Sequence, residues 1–145
     1  MNKQKGGQVR VGVGIMIKKG NSVLLGHRKA RKEKTESWTF PGGAVDYGET
    51  CHDAAVREMY EETGLKVNSL SFIGLIDDFD GAGHEHWITV NFLCEDFSGE
   101  LEVKEPHKIE GWHWRDLDEM PDGLWGPCKG TIKCFKSNEM YERKV

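Results

Sequence analysis

Long apolar runs are missing from this chain. A membrane-spanning helix needs roughly 20 consecutive apolar residues, so the sequence predicts no membrane span. The first residues, Met1 to Arg10, are polar and contain glycine. They lack the apolar core of a signal peptide, and a cytoplasmic protein is expected. Cysteine is sparse, and Cys51, Cys94, Cys128 and Cys134 form no Cys-x-x-Cys pair. A domain of this size needs no disulfide staples, so the four read as free thiols in a reducing compartment and as small core residues, ahead of a zinc site. Positive charge is not in excess either: the formal net charge is −4. Binding of a long nucleic acid by bulk electrostatics is therefore not expected. A small phosphorylated ligand, held by a metal and a few local cations, remains compatible with that balance.

The 145 residues, 37% of them hydrophobic and 30% charged, can bury the core of one globular domain. Residues 1–8 read as a flexible tail and 9–145 as a single domain. Val9 to Ile17 alternates like a strand, with Gly12 and Gly14 leaving room for another backbone to pack close. Asn21 turns the chain into a second strand, Ser22 to Gly26. His27 to Lys34 reads as a charged loop, and Trp38 to Phe40 as a short extended piece ending in a tight turn at Pro41-Gly42-Gly43. Thr50 is placed to cap a helix, with Asp53 as capping-box partner, and Gly64 to end it after Thr63 in the left-handed conformation. Further strands are expected over Lys66–Ile76, His86–Glu95, Leu101–Lys104 and Ile109–Arg115, with a glycine-containing loop from Asp77 to Glu85. Asp116 to Met120 reads as a short turn or helix. Leu124 to Phe135 reads as a C-terminal helix broken near Gly126-Pro127. Interleaved strands and helices without a repeat make the class α/β or α+β with a mixed sheet.

The charge pattern of the first helix carries the chemistry. Arg57, Glu58, Glu61 and Glu62 fall within six residues. Residues three and four apart share a helix face, so Glu58 stands beside both Glu61 and Glu62, and the three carboxylates span an arc of about 100°. Like charges that close weaken a helix. A divalent cation resolves the repulsion, because hard cations such as Mg²⁺ bind through a few carboxylates plus substrate phosphates. Arg57, four residues before Glu61, can hold that carboxylate in place. A bare Arg-Glu-x-x-Glu-Glu is more often a solvated helix face with ordinary ion pairs. The surroundings weigh against that here: Pro41-Gly42-Gly43 lets backbone approach a ligand or offer a carbonyl to a metal, and Glu49 stands at the helix entry.

Gly43, Glu49, Arg57, Glu58, Met59, Glu61, Glu62, Gly64 and Leu65 match every fixed position of the Nudix box, with its spacing. The chain resembles the Nudix hydrolases. The stretches Val9–Arg28, Glu105–Trp114 and Leu124–Gly126 look like the MutT-related nucleoside triphosphate diphosphatases. The resemblance implies a Nudix-type α/β/α sandwich with a mixed central sheet. It also implies substrates in which a nucleoside diphosphate is linked to another moiety. Water attacks a bridging phosphorus, releasing a nucleoside monophosphate and diphosphate when that moiety is a further phosphate. A nucleotide-pool sanitising or regulating role follows. The alternatives are another Nudix activity, on ADP-ribose, a dinucleoside polyphosphate or capped RNA, and a non-catalytic nucleotide sensor. The sensor predicts losses at Glu58, Glu61 or Glu62, and none is lost. A homodimer is implied by resemblance alone.

Roles follow from the same resemblance. Glu58, Glu61 and Glu62, with the Gly43 carbonyl, are the expected ligands of Mg²⁺ or Mn²⁺, and Arg57 orients the carboxylates. Glu49 braces the box through hydrogen bonds. Arg28 is expected on a phosphate, which a guanidinium suits, and Gly42 approaches the substrate through its backbone. Lys29, Arg31, Lys32 and Lys34 read as a solvated basic loop. Trp125 and Gly126, with Leu124, are candidates to stack on and read the base, although an aromatic there is as often core. The proton acceptor is open. Related enzymes tend to read Glu-Pro-Glu-Lys where this chain reads Glu105-Pro106-His107-Lys108, so His107 stands where a carboxylate is expected. Glu105, Glu110 or Glu61 are the other candidates. His84-Glu85-His86 reads as a solvated loop rather than a zinc site.

Overall fold

The computed structural model describes residues 7–30, 36–79 and 85–143. Among these residues, eight strands and two helices follow in the order β1 (Val9–Lys19), β2 (Ser22–Arg28), β3 (Ser37–Thr39), β4 (Gly42–Ala44), α1 (Cys51–Thr63), β5 (Lys66–Phe79), β6 (His86–Ser98), β7 (Ile109–Asp116), α2 (Gly126–Ser137) and β8 (Tyr141–Arg143). The sheet is mixed. Its strand order is β3-β2-β1-β6-β5-β8, with β4 added to β1 and β7 to β2.

Alternation along β1 distributes its side chains to two cores. Val13, Ile15 and Ile17 pack with Ala54, Ala55 and Met59 of α1. Met16, on the opposite face, joins Cys128, Ile132 and Cys134 of α2. One helix thus covers each face, and the mixed sheet between them forms the α/β/α sandwich. Trp112 and Trp114, two residues apart on β7 and so on one face of it, both pack against the first core.

The strand that creates the functional opening is β1. It runs parallel to β6 from Val9 to Ile17 but pairs with β2 only through Lys18 and Lys19. The two strands separate beyond the Gly20 turn, and β4 enters the gap, pairing with Gly12, Val13 and Gly14. This corrects the expected tight turn at Pro41-Gly42-Gly43: both glycines are strand residues. A Cβ on Gly42 would come within 2.2 Å of the Val13 carbonyl oxygen, so the close backbone approach foreseen at Gly12 and Gly14 is made by β4.

Other boundaries also differ from the sequence pattern. His27 and Arg28 belong to β2 because they pair with Trp38 and Ser37. Leu101–Lys104 is not a strand; the Glu102 amide instead donates to the Thr63 carbonyl at the end of α1 (2.8 Å). Asp77 to Phe79 extend β5 by pairing with Ile88 to His86. Pro127 does not break a helix but sits in the first turn of α2, where its missing N–H costs nothing. Strand β8 has no forerunner in the sequence pattern. It is held parallel to β5, and Tyr141 donates its hydroxyl hydrogen to Asp77.

Candidate active site

The box helix forms as its caps require. Thr50 has extended backbone, and its Oγ1 accepts from the Asp53 amide at 3.0 Å. Gly64 closes the helix at φ 78°, its N–H donating to the Tyr60 carbonyl. Between the caps, Arg57 is a hub. Its Nε and Nη2 donate to the two oxygens of Glu49 at 2.7 and 2.8 Å. Its Nη1 donates to Glu58 (2.8 Å) and Glu61 (3.1 Å), and Nη2 also reaches the Ala44 carbonyl (3.1 Å). Glu49 accepts a further bond from the Asp46 amide (3.0 Å). The loop before α1 is therefore tied to the helix through one guanidinium. The Arg57 hydrogen bonds, then the Asp46 N–H, hold the Glu49 carboxyl down at about 2, and Glu49 in turn raises the Arg57 pKa.

Two carboxylates face inward. Glu58 lies over Gly43, where a Cβ would stand 2.5 Å from its carboxyl group. Glu62 is only 8% exposed, and its Oε2 accepts from the Gly42 amide at 2.7 Å. Burial pushes the Glu62 carboxyl up to about 8; the Gly42 hydrogen bond opposes this, and the charges of Glu58 and Glu105 add to it. Burial also raises Glu58, against the pull of Arg57. Buried carboxylates that repel one another around a glycine backbone make an oxygen-donor set short of positive charge, which suits a hard divalent cation. Among the described residues no three His, Cys, Asp or Glu side chains converge on one metal-sized point. Glu58 and Glu61 lean on Arg57, and Glu62 on Gly42.

Beside this pair opens a cleft of about 760 Å³, bounded by β1, β4, β6 and the start of α2. Of the residues expected at a site, Arg28, Gly42, Gly43, Glu62 and Trp125 line it. Trp125 is 46% exposed, so it is a surface ring over the cleft rather than core. Gly126, Arg57, Glu58, Glu61 and His107 are not among the lining residues. Gly126 opens α2 beside Trp125, and the half-exposed Glu61 is engaged by Arg57. The three outside candidates for proton acceptor separate clearly. Glu110 is bonded to His27 at 2.7 Å. His107 is exposed. Glu105 is half-buried, and its charge acts on both Glu58 and Glu62. Lys29 lines the cleft and approaches Glu110. Arg31, Lys32, Lys34 and His84 lie outside the described residues. His86 pairs with Asp77 at 3.2 Å and stacks on Phe79.

Several cleft residues escaped the sequence reading: Trp87, Thr89 and Asn91 of β6, Lys108, and Thr131 of α2. A signal did exist for Asn91, a lone amide in the apolar run Ile88-Thr89-Val90-Asn91-Phe92-Leu93. Buried amides need partners, so one in a core strand marks a polar cavity or a hydrogen-bonded network.

Comparison with known proteins settles the class. The NUDIX domain family model matches residues 8–133. An ADP-ribose pyrophosphatase of Methanocaldococcus jannaschii is 35% identical over 111 residues, 77% of this chain and 64% of that protein. An RNA pyrophosphohydrolase of Caulobacter vibrioides is 31% identical over 133 residues, covering 79% and 76%. Among solved structures, a MutT NUDIX hydrolase from Burkholderia pseudomallei superposes with a TM-score of 0.81 at 35% identity, covering 87% of this chain and 97% of that one. The chain belongs to the Nudix family of hydrolases acting on pyrophosphate bonds, and its sandwich is the fold of that family. Among the described residues no helix is long and apolar enough to cross a membrane.

Proposed function

We propose that the chain is a divalent-cation-dependent hydrolase of nucleoside triphosphates, releasing a nucleoside monophosphate and diphosphate. The observation that carries this reading is the placement of Glu58 and Glu62 against the Gly42–Gly43 backbone at one wall of a cleft sized for a mononucleotide. Glu58 and Glu62, with the Gly43 carbonyl, would hold Mg²⁺ or Mn²⁺, and Glu61 would join them on release from Arg57. The cation supplies Lewis acidity toward phosphate oxygens and the attacking water. Arg57 and Glu49 fix the box. Arg28, with Lys29 and Lys108, takes the phosphates, and Trp125 offers a ring to the base. Glu105 takes the proton from the attacking water, because its charge already couples to Glu58 and Glu62, in preference to His107.

The names of the relatives favour a second reading, in which the pyrophosphate bond belongs to ADP-ribose or to an RNA 5′ end. One panel decides between them. Nucleoside triphosphates, ADP-ribose and a 5′-triphosphorylated oligonucleotide are incubated with Mg²⁺, and phosphate or diphosphate release is measured. Preference for a mononucleotide triphosphate is expected. No turnover on any member would leave a binding protein instead of an enzyme. Glu58→Gln should lose at least 100-fold in kcat/KM, as expected for loss of a metal ligand; full activity would remove Glu58 from the cation site.

A further inference from the structure

The wall of the cleft opposite the box contains an amide whose orientation the fold determines. Gly14 of β1 and Asn91 of β6 are register partners, and both line the cleft beside Thr89. Asn91 is 2% exposed, so its polar atoms must be accounted for. Its amide nitrogen donates to the carbonyls of Thr89 (3.2 Å) and Gly74 (3.4 Å). Two acceptors on one side fix which end of the amide is nitrogen. The oxygen, Oδ1, stands on the other side, 2.5 Å from where a Cβ on Gly14 would be. The missing side chain of Gly14 therefore makes the notch into which Oδ1 projects. No donor among the described residues reaches this oxygen. No fully enclosed side-chain oxygen or nitrogen among them lacks a partner, so Oδ1 keeps a small accessible surface, in a residue that lines the cleft.

The wall around it carries several acceptors and no cation. From β5, β6 and the residue before β6 the lining groups include Asp78, Glu85 and Asn91, and no lysine or arginine of those strands takes part. The lining cations Arg28, Lys29 and Lys108 come from the chain around β2 and β7, on the other side of β1 in the sheet.

We propose that Asn91 is a specificity-determining residue: its Oδ1 accepts a hydrogen bond from the exocyclic amino group of the substrate's base, so that adenine, cytosine or guanine nucleotides are preferred over those of thymine or uracil. This rests on the reading of the cleft as a nucleotide site. An amino group projects beyond the ring and reaches the floor of a notch. In thymine and uracil the ring N–H is flanked by two carbonyls, which would meet an acceptor-rich wall. A buried acceptor left without its donor costs about one neutral hydrogen bond, roughly tenfold in affinity.

The test uses pairs that differ at the amino position: ATP against purine riboside triphosphate, and CTP against UTP. kcat/KM is measured with Mg²⁺, and Kd is measured calorimetrically for the α,β-methylene analogues of the same nucleotides. The wild type should favour the amino-bearing member of each pair by about tenfold. Asn91→Leu, similar in volume but without an acceptor, should reduce both ratios to within about twofold. Equal handling of both members by the wild type overturns the inference, as does a preference that survives in Asn91→Leu. The wild-type comparison stands even where the variant does not fold. Selective binding without turnover overturns the hydrolytic reading and leaves this inference in place. Turnover of all four without preference does the reverse, and neither binding nor turnover overturns both.

Discussion

Adding one methyl group at Gly42 or at Gly43 should have opposite consequences, although the residues are adjacent in one strand. Neither glycine has positive φ, so the effect of alanine is steric and not conformational. At Gly42 the new Cβ would stand 2.2 Å from the Val13 carbonyl oxygen and 3.2 Å from the Gly14 Cα. Those are backbone atoms of a paired strand, and they yield only if β4 moves off β1. Overpacking of this kind costs about 1–3 kcal/mol. For a chain of this size each kcal/mol lowers the melting temperature by roughly 2–4 °C, so Gly42→Ala should melt about 2–12 °C early. At Gly43 the three atoms nearest the Cβ all belong to the carboxyl group of Glu58, from 2.5 Å, the far end of a side chain that can rotate. Displacement breaks the Arg57–Glu58 hydrogen bond of 2.8 Å, a loss of roughly 1 kcal/mol. It is offset by the reduced backbone freedom of alanine in the unfolded chain, of similar size. Gly43→Ala should therefore melt within about 3 °C of the parent. It should lose activity by roughly 10- to 100-fold and need more Mg²⁺, because a metal ligand has been moved. Circular dichroism melts give the first quantity, and diphosphate release across a Mg²⁺ titration gives the second. A Gly43→Ala protein with wild-type kcat/KM and Mg²⁺ requirement would refute the assignment of Glu58 above Gly43 as a cation ligand. A Gly42→Ala protein with an unchanged melting temperature would refute the packing argument itself.

Three further outcomes are expected. Arg57→Lys retains the charge but cannot serve Glu49, Glu58, Glu61 and the Ala44 carbonyl at once; activity should fall about 10- to 100-fold, and wild-type kinetics would show that the fork is dispensable. Thr50→Ala removes the Oγ1 acceptor of the Asp53 amide and should cost about 1 kcal/mol in urea denaturation. Burial raises the Cys128 thiol to about 11 from an ordinary 9.0. The folded protein then holds a proton that the unfolded chain releases, so the stabilisation is intact below pH 9 and is lost as pH rises toward 11. By pH 11 roughly 2 kcal/mol should be gone, and Cys128→Ala should abolish that share of the alkaline loss; equal pH dependence of the two proteins would argue against it.

The box helix was legible because its determinants are local. Thr50, Asp53 and Gly64 act within one or two turns, and the facing of Glu58, Glu61 and Glu62 follows from 3.6 residues per turn. The strands β1, β2, β5, β6 and β7 were legible as short apolar, β-branched runs bounded by turn residues, with alternation clearest in β1. Their ends were not, because a strand ends where its partner ends: Arg28 is in β2 because Ser37 is opposite it, and Leu101–Lys104 is outside the sheet because the Glu102 amide found the helix terminus. The glycines at 42 and 43 looked like a turn, since composition cannot distinguish a bend from a close approach between strands. The cleft belongs wholly to tertiary structure. Arg28, Asn91, Lys108 and Trp125 line it from distant stretches, and no spacing rule relates them. The sequence by itself determined the carboxylate helix, its caps and the family. Which carboxylates face inward with Glu105 near them, and which wall presents Asn91 Oδ1, depended on the separation of β1 from β2 and on β4 entering the gap, a result of long-range pairing that local patterns do not encode.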